Sequence, residues 1–176
     1  MTSPIWDAIL RHYDENHRPR VERERACFAK SASIEEAISR AALATDERGK
    51  RFRHQRRIPR QALETARNEF LQHQEEIKNA TDFDELLAII TNTVRDVHRT
   101  GELYAYDTAL RISYYLDLLP RRIYLHAGTR AGARVLHLSH NNRSIDASDL
   151  PPALQRRPAH EVEDILCIYK AHFTSE

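Results

Sequence analysis

Glycine is scarce in this sequence, with four among 176 residues, beside two cysteines, one methionine and one tryptophan. So few glycines leave little for the turns of a sheet architecture and exclude collagen. Cys27 and Cys167 are too few for a multi-bridge framework, and both are expected as free thiols. No apolar run exceeds a few residues, Leu86-Leu87-Ala88-Ile89-Ile90 being typical, against the roughly 20 that a membrane helix needs, so no membrane partner is expected. Residues Met1 to Asp14 have neither a basic start nor an apolar signal core, which points to the cytoplasm. What is present is 41% hydrophobic and 30% charged, enough to build a core and too apolar for disorder. The length suits a single domain over residues 1–176.

The net charge of +1 hides an uneven distribution. Lys and Arg against Asp and Glu run 14 to 9 in residues 1–60, 5 to 11 in residues 61–120 and 8 to 6 in residues 121–176. Two stretches are basic without any acid: Lys50 to Arg60, with Arg51, Arg53, Arg56 and Arg57, and Leu118 to Ile145, with Arg121, Arg122, Arg130, Arg134 and Arg143. Such runs suit phosphates, and they suit equally a solvated face or the acidic middle third of the same chain. Only four of the 27 basic residues are lysine; arginine favours bidentate phosphate or carboxylate contacts, though an arginine-rich genome gives the same ratio.

Helical spacing dominates the elements. Ser3-Pro4 is a helix start, with Ile5, Trp6, Ile9, Leu10 and Tyr13 on one face. Asn16 to Pro19 is expected to break that helix, and Arg20 to Lys30 reads as either helix or extended chain. Ser33 with Glu36 forms a capping box for a small-residue helix ending near Gly49. Pro59 opens a long helix with Leu63, Ala66, Phe70 and Ile77 on one stripe. Thr81 caps the next, with Asp82 and Asp84 favourable to its dipole, and Gly101 ends it. A further helix carries Leu103, Tyr106, Ala109, Leu110 and Tyr114 to Pro120, making a hairpin with its predecessor. Arg122 to His126 suits a short extended connector, Arg130 to Leu136 a short helix, His140 to Pro152 a surface loop, and the chain after Pro158 a last helix. The expected fold is all-α, a compact single-domain bundle of about seven helices with a short helical hairpin near Gly101.

At that hairpin the sequence reads Val97-His98-Arg99-Thr100-Gly101-Glu102-Leu103-Tyr104-Ala105. It resembles a degenerate helix-hairpin-helix motif of the DNA glycosylase superfamily: an apolar residue, Gly, apolar, Gly, two variable residues, Thr or Ser, then Ala. Gly101 matches the second glycine and Ala105 the alanine, while Arg99 stands at the first glycine and Tyr104 at the hydroxyl residue. The match covers about ten residues. The resemblance implies that the turn's backbone amides and the following helix start hold a DNA phosphate, the anion preference of any open helix N-terminus. It also implies a catalytic acid after the following helix, where this chain has His126, and often a lysine in the hairpin, where it has none. Asp107 is a candidate for a relocated carboxylate. The alternative is that Gly101 is only a left-handed cap between packed helices.

A second constellation runs from Tyr124 to Arg134. Gly128 is expected to take a positive φ and Thr129 to cap a helix whose free amides, with Arg130 and Arg134, bind an anion; a plain capped helix is the alternative. Walker and dinucleotide fingerprints are missing. Among the ten histidines neither His137-Ser-Leu-His140 nor His160-Glu161-Val162-Glu163-Asp164 has a metal-binding pattern, so no metal and no cofactor is expected. Cys167, between Leu166 and Ile168, reads as a buried structural thiol. Tyr106 and Tyr114 belong to the core stripe, whereas Tyr104 and Tyr115 are expected to be exposed.

The leading expectation is nucleic-acid binding related to DNA repair without an intact catalytic motif. Arg53, Arg56, Arg57, Arg99, Arg130 and Arg134 would contact phosphates of DNA or of another phosphate-bearing ligand, with Gly101, Gly128 and Thr129 as backbone anion sites. The rivals are a helical protein-interaction or regulatory module, and an enzyme acting on a phosphorylated or nucleotide substrate through His126, Arg130 and Asp107.

Overall fold

A computed structural model describes residues 4–173. The chain is mostly helical. Its elements are α1 (Pro4–Asn16), α2 (Arg18–Ala29), α3 (Ile34–Ala42), α4 (Arg60–Gln72), α5 (Gln74–Lys78), α6 (Phe83–Thr93), α7 (Glu102–Leu116), β1 (Ile123–Tyr124), α8 (Ala127–Val135), β2 (Ser144–Ile145) and α9 (Ala159–Ile168), with 3-10 turns at Arg53–Gln55 and Ala147–Asp149. No helix among the described residues is long and apolar enough to cross a membrane. Contacts divide the chain into a central unit, Glu22–Leu119, and a terminal unit, Met1–Val21 with Pro120–Glu176.

The central unit is built around α7. Its buried residues, from Tyr104, Ala105 and Tyr106 to Ile112 and Tyr114, cover most of the helix circumference, as expected of a helix with neighbours on several sides. One neighbour is α3, whose Ala37, Ile38, Ala41 and Ala42 are fully buried and small enough for close approach; the other is α6, through Phe83, Leu86, Leu87 and Ile90. Helix α4 adds Leu63, Ala66 and Phe70. The Ser33 hydroxyl caps α3 by accepting from the Glu36 amide at 3.1 Å, and the Glu36 carboxylate returns to the Ala32 amide. At α6 the cap is Asp82, accepting from Glu85 N, one residue beyond the expected Thr81, whose amide and hydroxyl instead hold the Glu85 carboxylate.

Helices α6 and α7 form the hairpin expected near Gly101. The first ends at Thr93, earlier than the glycine, because residues 94–100 turn back, with the Thr100 hydroxyl donating to the carbonyls of Val94 and Val97. Gly101 is not a left-handed cap: it is extended, φ −95°, and is the N-cap of α7. The left-handed residue is Arg99, at φ 74°.

In the terminal unit, α1 shares a core with α9 and the two short strands. Ile9, Tyr13, Ile123, Leu125, Ile145, Leu154, Val162, Ile165 and Leu166 are its buried members. Strands β1 and β2 pair antiparallel, Ile123 opposite Ile145, so the segment 140–152 expected as loop contains a strand and a 3-10 turn. Arg157 donates to both carboxylate oxygens of Asp14, one at 2.7 Å, and lies 3.3 Å from Glu161.

Two helices exceed the seven expected. Arg18–Ala29 is helical although only Phe28 on it is buried, and the helix read from Pro59 to Ile77 is broken at His73 into α4 and α5. The small-residue helix stops at Ala42, not near Gly49, because Ala44 takes φ 53° and Thr45 bridges to Arg51. The expected Ser3 cap of α1 lies outside the described residues.

Candidate functional site

The basic run 50–60 is a structured arm of the central unit. Phe52 N bonds to Ala44 O at 2.8 Å, the Asp46 carboxylate accepts from the amides of Arg48 and Lys50, and Arg51 reaches the Ile58 carbonyl at 2.9 Å. These bonds satisfy backbone groups that a loop otherwise leaves to water. Within the arm Arg53, Arg56 and Arg57 are exposed, and no carboxylate among the described residues pairs with them. Arg60 differs, being held 2.7 Å from Glu64 one helical turn on. Gln55, in the middle of these arginines, is 1% exposed and donates its amide to Asp107.

The end of the arm and the hairpin turn line one cleft of about 560 Å³, with Pro59, Gln61, Ala62 and Thr65 on one side and Val97, His98 and Arg99 on the other. Glu69 and Asp96 also line it, so two carboxylates share the cleft with the Arg99 guanidinium. His98 and Arg99 are exposed, with Arg99 Nε 3.3 Å from His98 Nε2.

Asp107 is half-buried on α7 and engaged with neighbours of its own unit. Its carboxylate accepts from Gln55 and stands 4.0 Å from Arg111, whose Nε lies 2.8 Å from Glu24. Tyr104, expected to be exposed, is 2% exposed because it faces α3, where its hydroxyl donates to Ala42 O at 2.8 Å. Burial holds this phenol's pKa well above its ordinary range, with Thr108 and Arg111 opposing. Tyr106 and Tyr114 are in the core as expected, and Tyr115 is half-buried.

The glycine-rich constellation in the terminal unit has a different geometry from the one expected. His126, not Thr129, is the N-cap of α8, and Gly128 and Thr129 lie inside the first turn. Gly128 has no positive φ; Gly49 is the one such glycine among the described residues. A side chain at Gly128 would strike Cys167 Sγ, and one at Gly132 would strike the backbone carbonyl of Leu166. Two glycines one turn apart therefore let α8 lie directly on α9. Thr129 is fully buried, its hydroxyl 3.4 Å from both ring nitrogens of His126, and His126 in turn pairs with Glu163.

Arg130 is likewise engaged internally: its guanidinium donates to the carbonyls of His140, Asn142 and Leu125, bracing β1 and the segment before β2. Arg122 pairs with Asp146 at 3.1 Å. Of this second basic stretch, Arg121, Arg122, Arg134 and Arg143 are exposed, Arg122 with Asp146 as its partner. The enzyme constellation of His126, Arg130 and Asp107 is thus distributed over two units, with each member engaged inside its own. Cys27 and Cys167 form no disulfide, and both are half-buried. Gln55 is the residue that sequence reasoning passed over, since a glutamine among arginines reads as one more solvated side chain.

No protein-family model, curated protein or solved structure matches the chain. The functional reading therefore rests on the geometry of these residues.

Proposed function

We propose that the central unit binds nucleic acid through the sugar-phosphate backbone, with Arg53, Arg56 and Arg57 as the principal phosphate contacts and Arg99 of the hairpin turn as a further one. The observation that carries this reading is the set of three exposed arginines within five residues that have no internal counter-ion among the described residues. Clustered guanidinium groups raise the local potential, and a polyanion that neutralises them releases its own condensed counter-ions. Arginine's planar fork suits phosphate oxygens better than lysine would.

The turn beside the arm supports the same reading. Arg99 occupies a left-handed conformation, φ 74°, which glycine favours, at the position where the helix-hairpin-helix motif has its first glycine. Gly101 at the start of α7 contributes no side-chain cap and has open space around its Cα, so a phosphate can approach the first-turn amides. In the terminal unit Arg134 keeps its candidacy as an exposed cation, whereas Gly128, Thr129 and Arg130 lose theirs to packing and internal hydrogen bonds.

The test is fluorescence anisotropy with labelled single-stranded and duplex DNA at about 50 mM salt, where phosphate-driven binding is strong. The reading expects binding that weakens steeply with salt and falls when Arg53, Arg56 and Arg57 are replaced together by alanine. Undetectable binding of both forms overturns it.

A further inference from the structure

We infer that Gln55 and Asp107 form a latch that fixes the arginine arm against α7, so that Gln55 is a positioning residue for the phosphate contacts. The inference rests on the nucleic-acid reading for its functional consequence, and on geometry alone for the latch. Gln55 is the buried member of a run whose neighbours on both sides, Arg53, His54, Arg56 and Arg57, are all exposed. Its amide nitrogen donates to the Asp107 carboxylate on α7. Its Oε1 is buried without a hydrogen-bond partner.

Burying an amide with one end unsatisfied is costly, and an apolar side chain of the same size would fill the space more cheaply. What the amide adds is a directional bond, which holds the segment in one orientation where apolar packing tolerates several. A second contact reinforces it three residues earlier: the Phe52 ring lies 4.1 Å from the guanidinium of Arg111, one turn beyond Asp107 on the same helix. Arg111 is itself held by Glu24. The arm is thus attached to α7 at Phe52 and Gln55, and the arginines that carry the charge flank the second attachment. Asp107, which the sequence offered as a relocated catalytic carboxylate, is on this account the receiving half of the latch.

Two variants separate latching from bulk packing. Gln55→Glu sets a carboxylate against Asp107 and should open the latch at neutral pH. Gln55→Glu combined with Asp107→Asn reverses donor and acceptor and should close it again, while Glu24 continues to pair Arg111. The readout is limited trypsin digestion, following cleavage after Arg53, Arg56 and Arg57 by mass spectrometry. Cleavage should be about tenfold faster in the single variant and return to within about twofold of wild type in the double, because such cleavage follows the population of locally opened chain.

Wild-type cleavage in the single variant, or no recovery in the double, overturns the latch. If the single variant fails to fold by circular dichroism, Gln55→Leu keeps the volume without the amide and should show the same acceleration; wild-type cleavage there also overturns it. DNA affinity, measured in parallel, should fall about tenfold and recover with the cleavage rate. Absent binding of wild-type protein together with a clear cleavage contrast defeats the nucleic-acid reading and leaves the latch standing. Binding of wild-type protein with no cleavage contrast does the reverse.

Discussion

Two groups of arginines, one in each unit, are used in opposite ways. In the terminal unit the guanidinium groups of Arg130, Arg157 and Arg18 are spent on internal partners: Arg130 on three carbonyls, Arg157 on Asp14 and Glu161, and Arg18 on Glu161 at 3.2 Å. In the central unit Arg53, Arg56 and Arg57 face solvent while a buried glutamine anchors the segment that carries them. An acid-free basic stretch in a sequence is therefore compatible with both outcomes. What separates them is whether carbonyls or carboxylates lie within reach, a tertiary property invisible along the chain.

Glycine draws the same contrast and gives the largest expected effect. Gly132→Ala must push a methyl group into the Leu166 carbonyl, which should cost about 2–3 kcal/mol or more, since backbone cannot yield as a side chain tip does. Gly101→Ala meets nothing within 4 Å at a negative φ and should cost no more than about 1 kcal/mol, the loss from a poorer N-cap residue. Comparable melting losses for the two variants would erase the distinction between a packing glycine and an open one.

Arginine substitutions sharpen the comparison at the next level. Arg130→Ala removes the donor from three carbonyls and should cost about 1–3 kcal/mol by denaturant unfolding, whereas alanine at Arg53, Arg56 and Arg57 together should change stability by no more than about 0.5 kcal/mol. Arg99→Gly separates fold from binding at one residue: relief of the left-handed backbone should leave stability unchanged or raise it by up to about 1 kcal/mol, while a phosphate contact is lost.

Much of the helical framework was legible because burial follows amphipathic spacing: the stripes Leu63-Ala66-Phe70 and Phe83-Leu86-Leu87-Ile90 are core in the structure. Helix α2 was not, since its charges surround a single buried Phe28 and leave no stripe to read. The packing of α1 on α9 was not legible either, joining segments some 150 residues apart with no local mark of it. At the candidate site the basic run was visible in the sequence, but its freedom from internal partners was not, since the equally acid-free second stretch holds Arg130 in hydrogen bonds. Gln55 was passed over and Tyr104 misjudged because their partners, Asp107 and Ala42, come from other elements. The close approach of α8 to α9 at Gly128 and Gly132 was not legible, because it depends on where α9 lies and not on glycine spacing.

The smallest expected effect is the acid response of the terminal unit. The His17 pKa is lowered by burial, then by Arg20 and His12, so the unfolded chain takes up the proton first, and stability held above about pH 6.5 declines as pH falls toward the lowered value. Asp14 is lowered by its hydrogen bond from Arg157, with burial opposing and Arg18 assisting; its contribution is present above the ordinary carboxylate range and disappears only as pH falls through its depressed pKa. Chemical-denaturation midpoints between pH 7 and pH 5 should therefore fall less in His17→Asn than in wild type, by a few tenths of a kcal/mol. An identical decline in both proteins would remove His17 from the account.

The central claim, on the proposed function, is that nucleic acid is held chiefly by the arginine arm, with Arg134 of the second basic stretch a lesser contact. Its most direct test is the slope of log K against log salt for DNA binding, compared among wild type, the Arg53/Arg56/Arg57→Ala variant and an Arg121/Arg134/Arg143→Ala variant. The account predicts that the first variant loses about 2.7 from the magnitude of the slope with duplex DNA, roughly 0.9 for each phosphate contact, while the second keeps most of the wild-type slope. An unchanged slope in the arm variant, with the loss falling on the terminal-unit variant instead, would contradict it.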